Sequence, residues 1–523
     1  MQSIPRRNQI QRNPNGNRGP GAATLCLLAR SDMSGADEPK TSIPARDTGM
    51  AAHDSARRAP AHGAESSPRH ATPQPNVPGK GIVASYSPKF WAAVIGVGVA
   101  SGIGGAALIG LLKLIEKTAF NYHSGSYLSG IERTSAAHRV LVLLAAGVIA
   151  GVGGHALQRV RGSGAGEISD ALWNEDARLP FWRSIGRGAL SIVIVAMGAS
   201  LGREAAPQLA GAASASGLSE FAKLPAHHRR LLVACGGGAG MAAVYNVPLG
   251  GALFALEVLL GTVTLSLVLP ALITSLIATA IAWITLGDQP IYYMPQFKLA
   301  GGQILWAAII GPLAGLAAIT WVRTIAFVNN HKPDGLQRII APMVVFTALG
   351  ALAIAYPTLL GNGQDIVQLA IGNGFAVSTL AVLLLLKPLA TSACLGSGAP
   401  GGLFTPTLAF GVLFGSLLGH AWSALGGAGA PGSFAIIGGA AVLGASMQAP
   451  LAAVVLILEL TRNADTLMVP ILLGVALATV LARIIGAPSI YSARLGERDA
   501  PAFDDDRGTA EYRPGARPES RAD

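Results

Sequence analysis

Long uncharged apolar segments, separated by short polar stretches, make up most of this 523-residue chain. Residues 262–287 and 304–322 contain no charged side chain, and each offers the roughly 20 apolar residues that a helix needs to cross a bilayer. From Pro388 to Leu458 there is no Asp, Glu, Lys or Arg, yet the stretch is rich in Gly and Pro. The pattern predicts an all-α polytopic membrane protein in which many apolar segments are short or broken.

Composition supports this prediction and adds a charge asymmetry. Charged residues are 13% of the chain, against roughly 25% in an average soluble protein, and the mean hydropathy is +0.47. Part of the net charge of +10 comes from residues 1–87, a basic stretch rich in Pro, Ser and Asn that we expect to be a disordered cytoplasmic tail. Without a folded basic module, a nucleic-acid partner is not expected. Cys26, Cys235 and Cys394 are far apart, so we expect no metal site and no cofactor.

The two halves of the apolar region repeat each other. Residues 236–257 (GGGAGMAAVYNVPLGGALFALE) match residues 438–459 (GGAAVLGASMQAPLAAVVLILE), and residues 202–207 echo residues 401–406 at nearly the same separation. The paired positions are Pro248 with Pro450, Leu249 with Leu451, and Glu257 with Glu459. Interrupted segments at matching positions predict a site built from broken helices, whether the repeats are parallel or inverted.

Arg203 and Glu204 form an ionisable pair inside an apolar stretch, between Gly202 and Pro207. Ionisable residues at membrane depth are costly and indicate functional sites. The flanking glycine and proline predict a helix that begins within the bilayer, and a helix start carries free N–H groups and about half a positive charge. Such a start attracts anions, so Glu204 would be the protein's own anion beside an anion site.

Three glycine-rich elements precede apolar runs, at residues 162–167, 202–207 and 396–406. Glycine leaves the backbone N–H groups unshielded because it has no side chain. Helix starts that converge would replace the hydration shell of an anion with partial charges, which lets the ion bind and then leave. The three elements therefore predict a pathway for a small anion.

These elements resemble the signature segments of the CLC family of chloride channels and chloride/proton exchangers, whose patterns are GSGIP, G(K/R)EGP and GxFxP. The third pattern is complete as GLFTP at residues 402–406. The second is present as Gly-Arg-Glu at residues 202–204 and departs afterwards, and the first keeps Gly-Ser-Gly at residues 162–164 but continues with Ala-Gly. Residues 488–492 (PSIYS) and the duplicated segments also resemble the family.

The resemblance implies a fold of about eighteen tilted and broken helices in two inverted repeats, and a homodimer with one anion pathway per subunit. Chloride would be the transported ion, bound by the hydroxyls of Ser163 and Tyr491 and by the backbone amides of Leu403 and Phe404. Glu204 would be the gate, and its carboxylate would leave the anion site when chloride competes or a proton neutralises it. The helix starts at the anion site would be Gly162, Gly164, Gly202, Arg203 and Gly402.

The same resemblance sets the expected domain bounds. The membrane domain would span residues 88–492, with halves at about 88–290 and 300–492, and residues 493–523 would form a short charged cytoplasmic tail. That tail would leave no room for the paired nucleotide-binding CBS domains of many relatives. We expect a multi-pass protein of the cell (inner) membrane, surrounded by the lipid bilayer, with both termini in the cytoplasm.

The resemblance leaves the mode of transport open. Exchangers of the family carry a second, inward-facing glutamate that passes protons, and this chain has Val258 there, directly after Glu257. A valine cannot carry a proton, which favours a voltage- or pH-gated chloride channel. The alternative is a chloride/proton antiporter in which Glu257 or water carries the proton. Ser163 argues against a fluoride-selective relative.

Two hypotheses from other classes can be stated from the residues. Ser200 lies between glycines at 198 and 202, as in a serine hydrolase, but His155 and His420, the obvious histidines of the apolar segments, have no clear orienting partner. A transporter of organic anions would suit broken helices, yet the motifs offer backbone amides and hydroxyls instead of a roomy polar pocket. Chloride transport by a non-enzymatic protein accounts for more of the sequence than either.

Overall fold

A computed structural model describes residues 86–159, 167–174 and 176–495, and most of these residues are helical. Seventeen α-helices lie within the described ranges, with a π-helical turn at Phe254–Leu259 and three short 3₁₀ turns between or after them. The prediction of an all-α fold is confirmed. The helices are α1 (Pro88–Ala119), α2 (Tyr127–Arg133), α3 (Ala136–Arg159), α4 (Ile168–Asn174), α5 (Phe181–Ala196), α6 (Ala205–Phe221), α7 (Ala226–Tyr245), α8 (Pro248–Leu253), α9 (Leu265–Leu286), α10 (Gly301–Asn330), α11 (Gln337–Ala355), α12 (Gln364–Ile371), α13 (Val377–Gly396), α14 (Phe404–Ala424), α15 (Pro431–Met447), α16 (Pro450–Thr461) and α17 (Met468–Ile484).

Eight helices in the described part of the chain are long and apolar enough to cross a bilayer. They comprise α1, α3, α9, α10, α11, α13, α14 and the segment Asp465–Ile484, which contains α17. The uncharged stretch 262–287 becomes α9, and the stretch 304–322 lies within α10. The prediction of a multi-pass membrane protein is therefore confirmed, with shorter apolar helices between the long ones.

The sequence repeat is also a structural repeat. Helices α7 and α15 both end at a residue in the left-handed conformation, Asn246 and Gln448, each with φ of 58°. Two residues later a proline begins the next helix, Pro248 in α8 and Pro450 in α16, where its missing N–H removes no helical hydrogen bond. Equal backbone geometry at equivalent positions argues for duplication.

Reciprocal contacts between the repeats indicate a twofold relation between them. Glu459 accepts hydrogen bonds from the backbone amides of Leu249 (3.0 Å) and Gly250 (2.6 Å), at the start of α8. Glu257 accepts from Leu451 (3.3 Å) and Ala452 (2.6 Å), at the start of α16. Each half thus supplies the carboxylate that caps a helix of the other half, which is the contact pattern of a twofold axis.

The predicted tails fall mostly outside the described residues. Helix α1 begins at Pro88, where the Ser87 side chain accepts a hydrogen bond from the Phe90 amide (3.3 Å). The last described residue is Leu495, three residues after the predicted end of the membrane domain. The boundaries at residues 87 and 492, and the nature of both tails, remain predictions.

Candidate functional site

Two of the three glycine-rich elements meet in the interior of the protein. Gly202 and Gly402 form an isolated antiparallel bridge, in which each backbone N–H donates to the carbonyl of the other residue (2.7 and 2.9 Å). Helix α6 begins just after the first glycine and α14 just after the second. Two helix starts, one from each repeat, therefore converge at the same place, as the glycine pattern predicts for an anion site.

The Glu204 carboxylate occupies this meeting point. Glu204 precedes the first residue of α6 and is 1% exposed, and its Oε1 accepts a hydrogen bond of 2.6 Å from the backbone N–H of Phe404, the first residue of α14. A Cβ atom on Gly202 or Gly402 would collide with that carboxylate. A side chain at either position would therefore displace the carboxylate from the space that it fills.

A buried tyrosine supplies the second donor to the carboxylate. Tyr245, at the end of α7, is 1% exposed and donates its phenolic O–H to Oε2 of Glu204 (3.1 Å). Its oxygen also lies 2.6 Å from Oγ1 of Thr405. Because the phenol has one proton, Thr405 must donate to Tyr245 when Tyr245 donates to Glu204. The pocket around the carboxylate offers N–H and O–H donors, which also suit a chloride ion.

Arg203 does not form an ion pair with Glu204 in the described part of the chain. Its guanidinium carbon lies 5.3 Å from the centre of the Tyr245 ring, within the range of a cation–π contact, and its Nε has no hydrogen-bond partner. Arg203 therefore contacts the ring of the tyrosine that donates to Glu204.

Tyr491 borders a small cavity that reaches the first turn of α6. Its ring packs edge-on against Phe254, with 5.5 Å between the ring centres. The cavity has a volume of about 60 Å³, and its lining includes Tyr491, Ala205 and Gly401. It is therefore in contact with both elements that meet at Glu204. A drug-sized organic ligand takes about 300–1,000 Å³, so the volume does not suit the organic-anion hypothesis.

An ion cluster forms another wall of this cavity. Oε1 of Glu167 lies 2.5 Å from Nη2 of Arg494, which is three residues after Tyr491. The same oxygen lies 3.3 Å from Nη2 of Arg187 in α5. Burial alone would raise the pKa of Glu167, but the two guanidinium groups outweigh burial and lower the pKa, so the carboxylate is charged. Lys332 adds a further positive charge nearby. The cluster is net positive, which favours an anion in the cavity.

Not every predicted site residue can be placed. Gly162, Ser163 and Gly164 lie outside the described residues, so the hydroxyl contact assigned to Ser163 stays a prediction. Leu403 directly precedes α14, next to the amide of Phe404 that contacts Glu204. Across the described ranges, no three His, Cys, Asp or Glu side chains form a group that could hold a metal ion.

The structure also adds two functional candidates that the sequence reasoning missed. Tyr245 is the one polar-tipped residue in the apolar end of α7, and Lys387 is the charged residue directly before the uncharged stretch that begins at Pro388.

The surroundings of Ser200 argue against the serine hydrolase hypothesis. Its Oγ lies 2.9 Å from Nζ of Lys387. Ser200 and Lys387 are both 0% exposed, so the serine hydroxyl is closed to a substrate in this structure. His420 instead contacts the carbonyl of Ser416 on its own helix (2.9 Å).

Comparisons with known proteins agree with this geometry. The sequence profile described as voltage gated chloride channel matches residues 141–483. A ClcB-like chloride channel protein of Ralstonia nicotianae is 34% identical over 370 residues, 68% of this chain and 85% of that protein. The H(+)/Cl(-) exchange transporter ClcA of Vibrio campbellii is 30% identical over 429 residues, 78% of this chain and 89% of that protein. The crystal structure of a slow cyanobacterial Cl-/H+ antiporter superposes with a TM-score of 0.70 at 23% identity, covering 80% of this chain and 99% of that one.

The profile spans more than half of the chain, and the fold has the helices and the repeat that the resemblance implies. The relatives include proteins named as channels and proteins named as exchangers, and both kinds move chloride. The chain is therefore a multi-pass chloride-transport protein that belongs to the CLC family of chloride channels and chloride/proton exchangers.

Proposed function

We propose that this protein is a passive chloride channel whose pathway is opened and closed by Glu204. The observation that carries the proposal is the 2.6 Å hydrogen bond from the Phe404 amide to the Glu204 carboxylate. A carboxylate at the start of α14 occupies the place where the helix dipole and a free N–H would otherwise attract an anion. The gate is thus a competition between a tethered anion and a mobile one.

Protonation would shift the competition towards chloride. A neutral carboxyl group gains little from the partial positive charge of a helix start, whereas chloride keeps its full attraction. The backbone amide of Leu403, the amide of Phe404 and the hydroxyls of Ser163 and Tyr491 would then coordinate the ion. Because partial charges hold it, the ion can also leave, as conduction requires.

The position of Val258 favours a channel over an exchanger. Val258 lies in the π-helical turn Phe254–Leu259 and has no ionisable group. The neighbouring Glu257 is occupied elsewhere, because its carboxylate caps the start of α16 through the amides of Leu451 and Ala452. No carboxylate of this turn is thus free to carry protons between the cytoplasm and Glu204.

Chloride/proton antiport is the second candidate, favoured by the 30% identity to a protein named H(+)/Cl(-) exchange transporter. Under either candidate, chloride and the lipid bilayer are the expected partners, and a homodimer is expected. Leu249 and Leu451, on the short helices α8 and α16, are 49% and 52% exposed, which suits contact with a second copy or with lipid. The cell (inner) membrane with cytoplasmic termini remains the expected location.

The experiment that separates the candidates is a reversal-potential measurement on purified protein in planar bilayers, under combined chloride and pH gradients. A channel gives a potential set by the chloride gradient alone, and an exchanger gives one that also shifts with pH. We expect the first result. Glu204→Gln, which mimics the protonated gate, should keep chloride flux while removing the part of its pH dependence that comes from protonation of Glu204. Proton movement coupled to chloride in the Glu204→Gln protein would contradict the assignment of Glu204 as the gate.

A further inference from the structure

Lys387 is a fully enclosed cation in the middle of a membrane-spanning helix. It is 0% exposed and lies in α13, one of the eight helices able to cross a bilayer. None of the ion pairs between described residues includes it. A charge at membrane depth costs several kcal/mol unless polar groups compensate it, so such a residue calls for a functional explanation.

The lysine ammonium group is compensated by three oxygen atoms from two other segments. Nζ lies 2.9 Å from Oγ of Ser200, 3.1 Å from the carbonyl of Leu359 and 2.8 Å from the carbonyl of Gly361. An ammonium has three N–H donors, and each has one acceptor here. The group therefore ties α13 both to the loop before α12 and to the segment that leads into Glu204.

Further hydrogen bonds make this tie rigid. The Gly361 amide donates to the carbonyl of Gly198 (3.0 Å), and the hydroxyl of Ser200 lies 3.1 Å from that of Thr391, one turn after Lys387 on α13. The segment from Gly198 to Ser200 is thus held at one end by this cluster. At the other end Gly202 pairs with Gly402. Glu204 follows two residues later, so the cluster constrains the position of its carboxylate.

The first half has a basic residue in the helix before its own glycine-rich element, Arg187 in α5. Arg187 contacts Glu167 and lines the cavity beside Tyr491, whereas Lys387 is sealed from solvent and from that cavity. Lys387 is sealed from solvent, and its hydrogen-bond partners are two backbone carbonyls and one hydroxyl. Such a residue can hold segments of the chain together, but it does not contact a mobile ion.

We propose that Lys387 is a positioning residue for the gate: its ammonium group fixes the segment from Gly198 to Ser200 so that the Glu204 carboxylate meets the start of α14. This role rests on the proposed function. Without the ammonium group the carboxylate is less well aligned with the Phe404 amide and competes less well with chloride. Chloride then binds more tightly, because the anion site is free for a larger fraction of the time.

The experiment is a calorimetric titration of full-length protein in detergent with chloride, in two backgrounds. Lys387→Met should lower the chloride Kd by about threefold or more when Glu204 is present, and leave it unchanged within about twofold in a Glu204→Ala background. Ser200→Ala removes one of the three contacts without removing a charge, and should give a smaller shift of the same sign if Lys387→Met fails to fold. Lys298→Met, at an exposed lysine between α9 and α10, is the matched control and should leave the Kd unchanged.

A different pattern would overturn the role. If Lys387→Met weakens chloride binding equally in both backgrounds, the lysine acts on the ion through its charge and not through Glu204. An unchanged Kd for Lys387→Met and Ser200→Ala would also refute it. Absence of chloride binding in the wild type and in Glu204→Ala alike would overturn the proposed function itself, and this role with it.

Discussion

At the scale of single residues, the pocket around the Glu204 carboxylate is characterised by hydrogen bonds that all point towards the carboxylate. The Phe404 amide and the Tyr245 phenol both donate to Glu204, and Thr405 completes the chain by donating to Tyr245. A pocket of converging donors stabilises an acceptor with negative charge, whether that acceptor is a carboxylate or a halide. Under the proposed function, the same donors would bind the carboxylate in the closed state and chloride in the conducting state.

Lys332 gives a pH dependence to the cavity beside Tyr491. Burial, followed by the positive charge of Arg494, lowers the pKa of Lys332 to about 8, so the lysine is mostly charged at pH 7 and mostly neutral at pH 9. Raising the pH over this range therefore removes positive charge near the cavity. We expect chloride flux into vesicles to fall by about two- to fourfold from this charge alone.

The variant Lys332→Met isolates this contribution. It should start with a lower flux at pH 7 and lose less of it between pH 7 and pH 9 than the wild type does. Lys89→Met, at an exposed lysine near the start of α1, should keep the wild-type pH profile. A full wild-type decline in Lys332→Met would mean that Lys332 does not contribute to the pH dependence.

At the scale of helices, the two short helices α8 and α16 depend on carboxylates from outside themselves. Each begins with a proline and has no side-chain cap of its own, and its first amides donate to a glutamate of the other repeat. A helix start without an acceptor leaves backbone N–H groups unpaired. Glu257 and Glu459 therefore stabilise the packing of the two halves, which agrees with a structural role for both.

Removal of either cap should have a similar effect on stability. Glu459→Ala leaves the amides of Leu249 and Gly250 without an acceptor and should destabilise the fold by about 1–2 kcal/mol, and Glu257→Ala should do the same. Thermal unfolding in detergent should register both as lower midpoints. Glu220→Ala, whose partner Arg178 is 3.8 Å away at an exposed position, should change little. Equal midpoints for Glu459→Ala and the wild type would refute the capping role.

In the whole molecule, residues of both repeats form the site around Glu204. The first half contributes Glu204 and the start of α6, the second contributes the start of α14, and the antiparallel pair of Gly202 and Gly402 joins them. Because the antiparallel bridge joins the two glycines, the starts of α6 and α14 lie at one place. Neither half alone would provide both the Glu204 carboxylate and the Phe404 amide that donates to it.

Much of this architecture could be predicted from local sequence. An uncharged apolar stretch predicts a membrane helix by its own length and composition. The glycines at 202 and 402 likewise indicate a close approach of the backbone, whatever the rest of the chain does. The contact of Lys387 with Ser200 and the ion pair of Glu167 with Arg494 could not be predicted, because the paired residues are 187 and 327 positions apart and no periodic pattern links them. Such contacts depend on how the two halves pack, which a single sequence does not encode locally.

Competition between Glu204 and a halide for the start of α14 can be observed in crystals soaked in bromide, because anomalous scattering locates the ion. In Glu204→Gln we expect bromide density within hydrogen-bond reach of the Phe404 amide, where the wild-type carboxylate lies, and in the wild type we expect none at that point. Bromide bound beside an unmoved Glu204 carboxylate in the wild type, or absent from the start of α14 in Glu204→Gln, would show that the two anions do not compete.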